Sequence, residues 1–482
     1  MILTFIIFIP AIGGILAWIA ARWSVNTARW LALLACAVDL ALAASIGVRH
    51  SGFPTQVAPW IPQFGVSYHL AMDGLSLLLV LLTGLLGIMA VASSWREIHD
   101  RVGGFLLALM LLLTGILGVF LAFDLFLFYF FWELMIVPMY FLIGIWGHEN
   151  RVYAAIKFFL FTFISGLFML ISIIGLYFVH GRATGNYTFD YNALLASRVS
   201  GPFAFWLMLG FFIAFAVKLP MFGLHTWLPD AHTQAPTAGS VILAGLMLKT
   251  GAYGLLRFAV PLFPEASAAL APVATALGAA GIIYGAMLAF AQTDFKRMVA
   301  YTSVSHMGFV LVGIYIGSEL ALQGAVMEML SHGIATGALF LLVGMVQERT
   351  GTRDLRSLGG LWSTAPRLGG FVLLFGLAAM GLPGFGNFVG EFLVLIGAYQ
   401  VSPVISIVST LGFVFSVIYA VKLIQASVLG PNNHEWALPE LTIRETTMLA
   451  VLAATILILG LYPQPIFNAA IIASRWSVVG GR

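Results

Sequence analysis

Four ionisable side chains lie inside long apolar stretches of the sequence: Glu133, Lys218, Lys249 and Glu391. A charged side chain at the centre of a bilayer costs roughly 2.5–3.5 kcal/mol on insertion scales, so such residues are normally retained for a function. Carboxylates and amines both exchange protons when their surroundings change. We therefore expect these residues to form a pathway for charge.

The composition indicates a membrane protein. Hydrophobic residues make up 61% of the chain and charged residues 9%, and apolar stretches of about 20 residues recur from end to end. Stretches such as 104–123 are continuously apolar, which favours helices over the alternating strands of a membrane barrel. The single cysteine, Cys36, excludes an internal disulfide and a multi-cysteine metal or iron–sulfur site within one chain.

The sequence thus predicts an all-α polytopic membrane protein with about 14 transmembrane helices and no soluble domain. The predicted spans are 2–21, 30–48, 73–94, 104–123, 125–146, 153–179, 203–231, 237–260, 268–291, 298–316, 319–346, 368–400, 403–428 and 445–462. Basic residues are concentrated on one side of this topology, which predicts that side to be cytoplasmic and both termini to be opposite.

Helix-breaking residues interrupt two of these spans, at Lys218-Leu219-Pro220 in the seventh and at Gly381 to Asn387 in the twelfth. The breaks lie five spans apart, and an odd number of spans reverses orientation, so we expect two inverted five-helix repeats. The alternative is that these are ordinary prolines and glycines of membrane helices. A single transmembrane domain, 1–482, would comprise three N-terminal helices (1–100), a first repeat (104–260), a second repeat (268–428) and a C-terminal helix region (429–482).

The breaks suit the charges beside them. Lys218 would end a half-helix, where the dipole is negative, and Glu391 would follow the start of one, where it is positive. Pro220 should also free the carbonyl of Ala216 to bind water or an ammonium group. Glu133 is a candidate partner for Lys218: at roughly 6 Å and an effective dielectric near 20, they attract by about 3 kcal/mol. Opening this pair would let the lysine lose its proton; the alternative is a static ion pair that fixes helix packing.

Lys249, which has no obvious permanent partner, would continue a polar row through His306 and His332 to Glu391. Histidine suits this role because its ordinary pKa of about 6.5 lets it bind or release a proton near neutrality. We expect Glu391 to receive protons from His332. Either histidine could instead be a hydrogen-bonded packing residue.

Other polar residues fit this row less clearly. The segment from His225 to His232 fits a water entrance better than a zinc site, and the paired-histidine spacing of membrane cytochromes is absent. Glu328, one turn before His332, is expected to tune that histidine or to reach an interface. Asp39 has no partner that the sequence identifies.

A family resemblance covers essentially the whole chain and rests on four segments: FFWELMIVPMYFLIGIWGHE, FAVKLPMFGLHTWLPDAHTQAPTAGSVILAGLMLKTGAYGLLRF, AQTDFKRMVAYTSVSHMGFV and GNFVGEFLVL. They resemble the antiporter-like subunits of respiratory NADH:quinone oxidoreductase, complex I. Among these the chain looks like the M type, because Glu391 stands where the L and N types usually carry lysine. No long lateral-helix extension follows the last predicted span either.

The resemblance implies a fourteen-helix, proton-translocating subunit with two inverted repeats and no redox centre or bound metal of its own. Glu133 and Lys218 would be the modulating pair, Lys249 the central relay, His306 and His332 the connecting residues, and Glu391 the exit.

Its partners would be L-type and N-type neighbours and the peripheral redox arm. The flavin, iron–sulfur clusters and quinone would be bound by partner subunits. Nucleic acid would not be a partner. The setting would be the lipid bilayer of a bacterial inner membrane, with the mitochondrial inner membrane as the alternative. A multisubunit cation/proton antiporter and an ion-pumping membrane-bound hydrogenase are the alternative functions.

Overall fold

The computed structural model describes residues 1–48, 52–197 and 199–474, and the predicted helical membrane fold is confirmed. Within these residues, twelve helices are long and apolar enough to cross a membrane, and two shorter apolar helices, Pro202–Lys218 and Pro366–Ala379, belong to the interrupted spans. All fourteen predicted spans therefore coincide with helix. Arg49, Arg198, Arg475 and Arg482, which belong to the side predicted to be poor in basic residues, lie outside the described residues.

The N-terminal part contains α1 (Ile2–Ala20), α2 (Val25–Val48) and α3 (Gly74–Glu97). Between α2 and α3, strands β1 (Thr55–Ile61) and β2 (Val66–Ala71) form an antiparallel hairpin around a short 3₁₀ turn, Pro62–Phe64. Hydropathy predicts no strand in this segment, so the hairpin is an addition to the all-helical expectation. Asp73 caps α3 by accepting a hydrogen bond from the amide of Ser76.

The next group of helices corresponds to the predicted first repeat. It consists of α4 (Val102–Leu121), α5 (Leu125–Trp146), α6 (Arg151–Thr184), α7 (Tyr191–Ala196), α8 (Pro202–Lys218), α9 (Trp227–Gln234), α10 (Thr237–Ile242), α11 (Leu248–Gly254) and α12 (Val260–Leu262). Two π-helical segments, Leu243–Met247 and Leu255–Ala259, join α10, α11 and α12 into one continuous span.

The following group repeats this order of elements. It consists of α13 (Pro264–Ala291), α14 (Phe295–Tyr315), α15 (Glu319–Thr350), α16 (Leu361–Thr364), α17 (Pro366–Ala379), α18 (Gly386–Val401) and α19 (Pro403–Ile424), which continues into a π-helical segment, Gln425–Leu429. The chain then forms α20 (Ile443–Leu461) and α21 (Gln464–Ser474).

The two groups share their helix signals. Asp124 caps α5 and Asp294 caps α14 through side-chain hydrogen bonds to backbone amides. The long helices α6 and α15 both end at a glycine in the left-handed conformation, Gly185 and Gly351. This common order agrees with the predicted repeats, which stay a prediction.

The helices that carry the predicted row lie in the interior. The span from Thr237 to Leu262, α14 and α15 are almost entirely buried, whereas α1, α2 and α19 expose much of their surface. Outer helices that face lipid therefore enclose Lys249, His306 and His332. This arrangement is expected for ionisable groups that must avoid hydrocarbon.

Candidate functional site

Lys218 is the last residue of α8, and its side chain is buried. The carbonyls of the last turn already accept hydrogen bonds from other donors: Leu219 N to Phe215 O at 2.8 Å, Met221 N to Ala216 O at 3.0 Å, and Trp227 Nε1 to Val217 O at 3.0 Å. The expectation that Pro220 leaves the Ala216 carbonyl free is wrong, because the amide of Met221 replaces the missing donor.

Aromatic rings hold the Lys218 ammonium instead. Its Nζ has no hydrogen-bond partner in the described residues, and it lies 5.2 Å from the ring centroid of Trp132 and 5.6 Å from that of Phe158. A desolvated cation–π contact contributes about 2 kcal/mol. The cation is thus stabilised by ring faces rather than by oxygen acceptors.

Glu133 directly follows Trp132 on α5, but no direct ion pair joins it to Lys218 among the described residues. Its Oε1 atom is buried without a hydrogen-bond partner and faces Gly166 of α6. A Cβ at Gly166 would lie 2.4 Å from that oxygen, so a larger residue there would force the carboxylate to move. The two predicted partners are close but separated.

Lys249 lies in α11 between the two π-helical segments and is fully buried. Its Nζ donates to the Ala244 carbonyl at 2.6 Å and lies 2.6 Å from Nδ1 of His332. The expectation that Lys249 lacks a partner is therefore wrong. The π-helical turn supplies the carbonyl, and α15 supplies the histidine.

His306 on α14 connects this contact to Glu391. The rings of His306 and His332 are 5.3 Å apart between centroids, and His306 Nδ1 lies 2.7 Å from Glu391 Oε1. Tyr419 approaches the other ring nitrogen, with its hydroxyl 3.2 Å from Nε2. Glu391 is thus bonded to His306, and the expectation that it receives protons from His332 stays a prediction.

Glu328 is a member of this site that hydropathy does not assign. It is fully buried on α15, and its Oε1 lies 3.3 Å from His306 Nδ1 and accepts a hydrogen bond from Asn387 Nδ2 at 3.1 Å. It therefore contacts His306, rather than tuning His332 or reaching an interface. The sequence signal that could have placed Glu328 in the site is a charged residue within an apolar stretch. Tyr419 gives no such signal, because a tyrosine is ordinary in a membrane helix.

Among the described residues, one group has the composition of a metal site: His306, Glu328 and Glu391, whose ligand atoms all lie within 4.8 Å of one another. One imidazole and two carboxylates could hold a divalent cation. The same contacts let one imidazole nitrogen share a proton with either carboxylate. The group could thus bind a metal ion or exchange a proton. Proton exchange does not require a path by which a metal ion reaches this buried group.

The segment considered as a zinc site is arranged differently. His232 stacks on Phe340 with ring centroids 4.5 Å apart, and Asp230 forms ion pairs with Lys157 at 2.7 Å and Arg297 at 3.6 Å. No three-residue ligand group of the described chain includes this segment. Its role as a water entrance stays a prediction.

Two cavities open near opposite ends of α3. One of about 230 Å³ is lined by Glu97, His148 and Thr237, and one of about 770 Å³ is lined by Asp73 and Arg257, which form an ion pair.

Burial, with the nearby charges of Lys296 and Arg353, lowers the pKa of His148 to about 4.

Asp39 on α2 is the one predicted polar residue that stays apart from this arrangement. Its side chain is buried, and Oδ1 has no hydrogen-bond partner in the described residues. The structure brings it into contact with none of Glu133, Lys218 or Lys249.

Residues 122–418 match the family model described as NADH:quinone oxidoreductase/Mrp antiporter, transmembrane. The chain is 54% identical to NADH-quinone oxidoreductase subunit M of Pseudomonas aeruginosa, over 97% of this chain and 96% of the relative. It belongs to the NADH-quinone oxidoreductase subunit M family.

Solved structures agree with membership of the subunit M family. A chain of respiratory complex I from Thermus thermophilus with bound NADH matches with a TM-score of 0.91 and 31% identity, over 99% of this chain and 100% of that one. A chain of the Mrp complex from Dietzia sp. matches with a TM-score of 0.85 at 20% identity, over 99% and 97% of the two chains, which shows the shared fold alone.

Proposed function

We propose that this chain is the proton-translocating M-type membrane subunit of a bacterial NADH:quinone oxidoreductase, complex I, in the inner membrane. Family membership over nearly the full length supports its place in that complex. One structural observation carries the proton-transfer role: Lys249, His332, His306 and Glu391 form a row of titratable groups buried inside the membrane domain.

The relay runs along this row. The Lys249 ammonium gives a proton to Nδ1 of His332, which lies at hydrogen-bond distance. The rings of His332 and His306 are not directly bonded, so a ring rotation or a water molecule carries the proton across that step. His306 then shares the proton with Glu391 or Glu328, and Glu391 delivers it toward the exit.

The Glu133 and Lys218 pair modulates the relay through charge. Helices α8 and α11 pack closely at Gly251, where a Cβ would lie 3.2 Å from the Cβ of Lys218, so the two lysines lie on adjoining helices. At roughly 10 Å and an effective dielectric of 20, two positive charges repel by about 1.7 kcal/mol. Moving Lys218 toward or away from Glu133 therefore changes how easily Lys249 releases its proton.

The remaining features belong to the same proposal. Helices 104–260 and 268–428 are two inverted repeats, which the shared order of caps, long helices, breaks and π-helical segments supports. The chain holds no flavin, iron–sulfur cluster or quinone; these belong to partner subunits, and L-type and N-type neighbours flank it. The antiporter and hydrogenase alternatives are weaker, because the relatives of high identity are subunits of NADH-quinone oxidoreductase, whereas the Mrp chain is 20% identical.

The test is a Lys249→Arg substitution in the complete complex, reconstituted in vesicles. Arginine keeps the positive charge but does not deprotonate at accessible pH, so quinone reduction by NADH and proton uptake should fall roughly tenfold or more. Lys422→Arg is the matched control, because Lys422 binds the backbone carbonyls of Phe290 and Gln292 outside the row. Full proton uptake by Lys249→Arg, at normal assembly, would exclude Lys249 as a relay.

A further inference from the structure

The Lys218 ammonium lies in an unusual environment for a buried cation. It has three N–H donors, yet none finds an acceptor in the described residues, and the carbonyls of the preceding turn are occupied. The groups that face it are the rings of Trp132 and Phe158. Aromatic faces therefore take the place of the counter-ion.

The Trp132 ring is held in position by its own neighbours. Its centroid lies 5.4 Å from that of Phe215 in an edge-on arrangement and 5.7 Å from that of Phe128. Trp132 is fully buried, and its Nε1 has no hydrogen-bond partner in the described residues. The indole N–H thus makes no polar contact that would account for a tryptophan at this position. The ring face, in contrast, contacts the Lys218 ammonium.

The Glu133 carboxylate lies against α6. Its Oε1 lies in the space left by Gly166, and a Cβ at Gly166 would also lie 3.6 Å from Trp132 Nε1. Adjacent residues of α5 thus offer Lys218 two alternatives: an indole face, which it occupies, and a carboxylate, with which it forms no direct ion pair in the described residues.

We propose that Trp132 and Gly166 are positioning residues that hold the Glu133 and Lys218 pair open. Trp132 binds the Lys218 ammonium through a cation–π interaction, and Gly166 accommodates the carboxylate. The pair closes when the ammonium leaves the ring and meets the carboxylate as it leaves Gly166. This inference rests on the proposed function, in which opening and closing of that pair controls proton transfer.

Fluorinated tryptophans test the first half directly. Fluorine withdraws electron density from the ring face while nearly preserving its shape, so cation binding weakens stepwise along the series. Mono-, di- and tetrafluorotryptophan placed at position 132 alone, in the complete complex in vesicles, should lower coupled turnover progressively, by about threefold at the end of the series. The logarithm of turnover should follow the cation-binding ability of the ring, which a purely structural role does not predict.

The matched control is the same series at Trp146, whose indole N–H donates to the Asp100 carbonyl at 3.0 Å and whose ring faces no cation in the described residues. That series should leave turnover unchanged. A flat response at position 132, with assembly intact, would overturn the role of Trp132.

A substitution at Gly166 tests the second half. Gly166→Ala displaces the Glu133 carboxylate and should slow turnover about threefold, but it should have no further effect in a Glu133→Gln background, where the charge is already absent. Gly144→Ala on α5 is the control, because a Cβ there meets only ordinary contact with Ala155 at 3.5 Å. Equal slowing in both backgrounds would overturn the role of Gly166.

The two levels of the proposal fail in different ways. Undiminished proton uptake in Glu133→Gln alone would contradict the proposed function of the pair. Reduced uptake in Glu133→Gln, together with a flat fluorination series, would leave that function intact. It would contradict only the proposal that Trp132 holds Lys218 away from Glu133.

Discussion

The membrane domain contains two acid and lysine regions with opposite hydrogen bonding. Around Lys218 and Glu133, the ammonium has no hydrogen-bond partner in the described residues, and no direct ion pair joins it to the carboxylate. Around Lys249 and Glu391, each charged group is bonded to a histidine at 2.6 or 2.7 Å. The same residue types thus lack a direct contact in one region and are each bonded to a histidine in the other.

The local structure explains this difference. In the first region, the broken helix uses its own carbonyls for Leu219, Met221 and Trp227, and aromatic side chains fill the remaining space. In the second, a π-helical turn provides the Ala244 carbonyl, and Asn387, within the other break, provides an amide for Glu328. The partners available nearby, rather than the charged residues themselves, decide whether a buried charged group is hydrogen-bonded.

Removing His306 should have the largest effect, because it breaks the connected row and leaves two buried carboxylates without their shared partner. His306→Ala should abolish coupled proton uptake and lower stability by about 3–5 kcal/mol. His306→Gln keeps a hydrogen-bonding group but cannot relay a proton, so it should assemble better and still lose activity roughly tenfold or more. Proton uptake in vesicles and thermal unfolding of the purified complex measure the two effects; normal uptake by His306→Gln would exclude a relay through this residue.

The carboxylates beside His306 should differ from each other. Glu391 lies 2.7 Å from Nδ1 and Glu328 lies 3.3 Å from it, so Glu391→Gln should slow turnover about tenfold and Glu328→Gln less. The double substitution should leave no carboxylate to accept the proton and should approach the His306→Gln rate. Turnover of the three variants at equal assembly decides this order, and a larger effect at Glu328 would move the exit to that residue.

In the separated region, removing one partner should cost little stability. Because no ion pair joins Glu133 and Lys218 directly, Glu133→Ala should lower the stability of the complex by about 1–2 kcal/mol, less than the roughly 3–5 kcal/mol expected for breaking a closed buried pair, while still reducing proton uptake several-fold. A double-mutant cycle with Lys218→Ala, read by thermal unfolding, should give a small coupling energy. A coupling of several kcal/mol would mean that the pair is closed in the resting complex.

The smallest effect lies outside both regions, at His148. Its pKa is lowered to about 4, whereas an unfolded chain takes up the proton near pH 6.5. The folded protein should therefore lose stability as the pH falls from about 6.5 to about 4, with no contribution above that window. Solvent screening limits this to below about 1 kcal/mol. His148→Gln should flatten the change in melting temperature of the complex across this range; an unchanged pH dependence would contradict it.

The spans, both breaks and the buried charges of the relay could be predicted, because each depends on local sequence. Apolar length predicts the helices, Pro220 and Pro383 predict the interruptions, and a lysine or glutamate in an apolar stretch is visible without a structure. The hairpin at Thr55 to Ala71 was not predicted, because hydropathy was used to find apolar stretches long enough to span a membrane, and this connection between spans is too short and mixed to be one.

The connections within the site could not be predicted, because they depend on which helices adjoin. His306 bonds to Glu391 and Glu328 across three helices, and their relative rotation is set by packing rather than by spacing along the chain. The prediction of a free Ala216 carbonyl was wrong for a similar reason. Its donor, the amide of Met221, follows the break in a conformation that the sequence does not specify.

The π-helical segment before Lys249 has a consequence for how this family can tolerate length changes. A residue added to or removed from a helix rotates everything after it by about 100°, and a π-helical turn contains one extra residue. Because that turn absorbs its extra residue within the segment, deleting one residue within Leu243–Met247 would regularise the helix and leave Lys249 directed at His332. The deletion would remove only the local geometry that brings the Ala244 carbonyl to the ammonium. The π-helical turn thus positions an acceptor rather than the lysine itself, and the deletion variant should keep the histidine contact of Lys249 and lose its carbonyl contact.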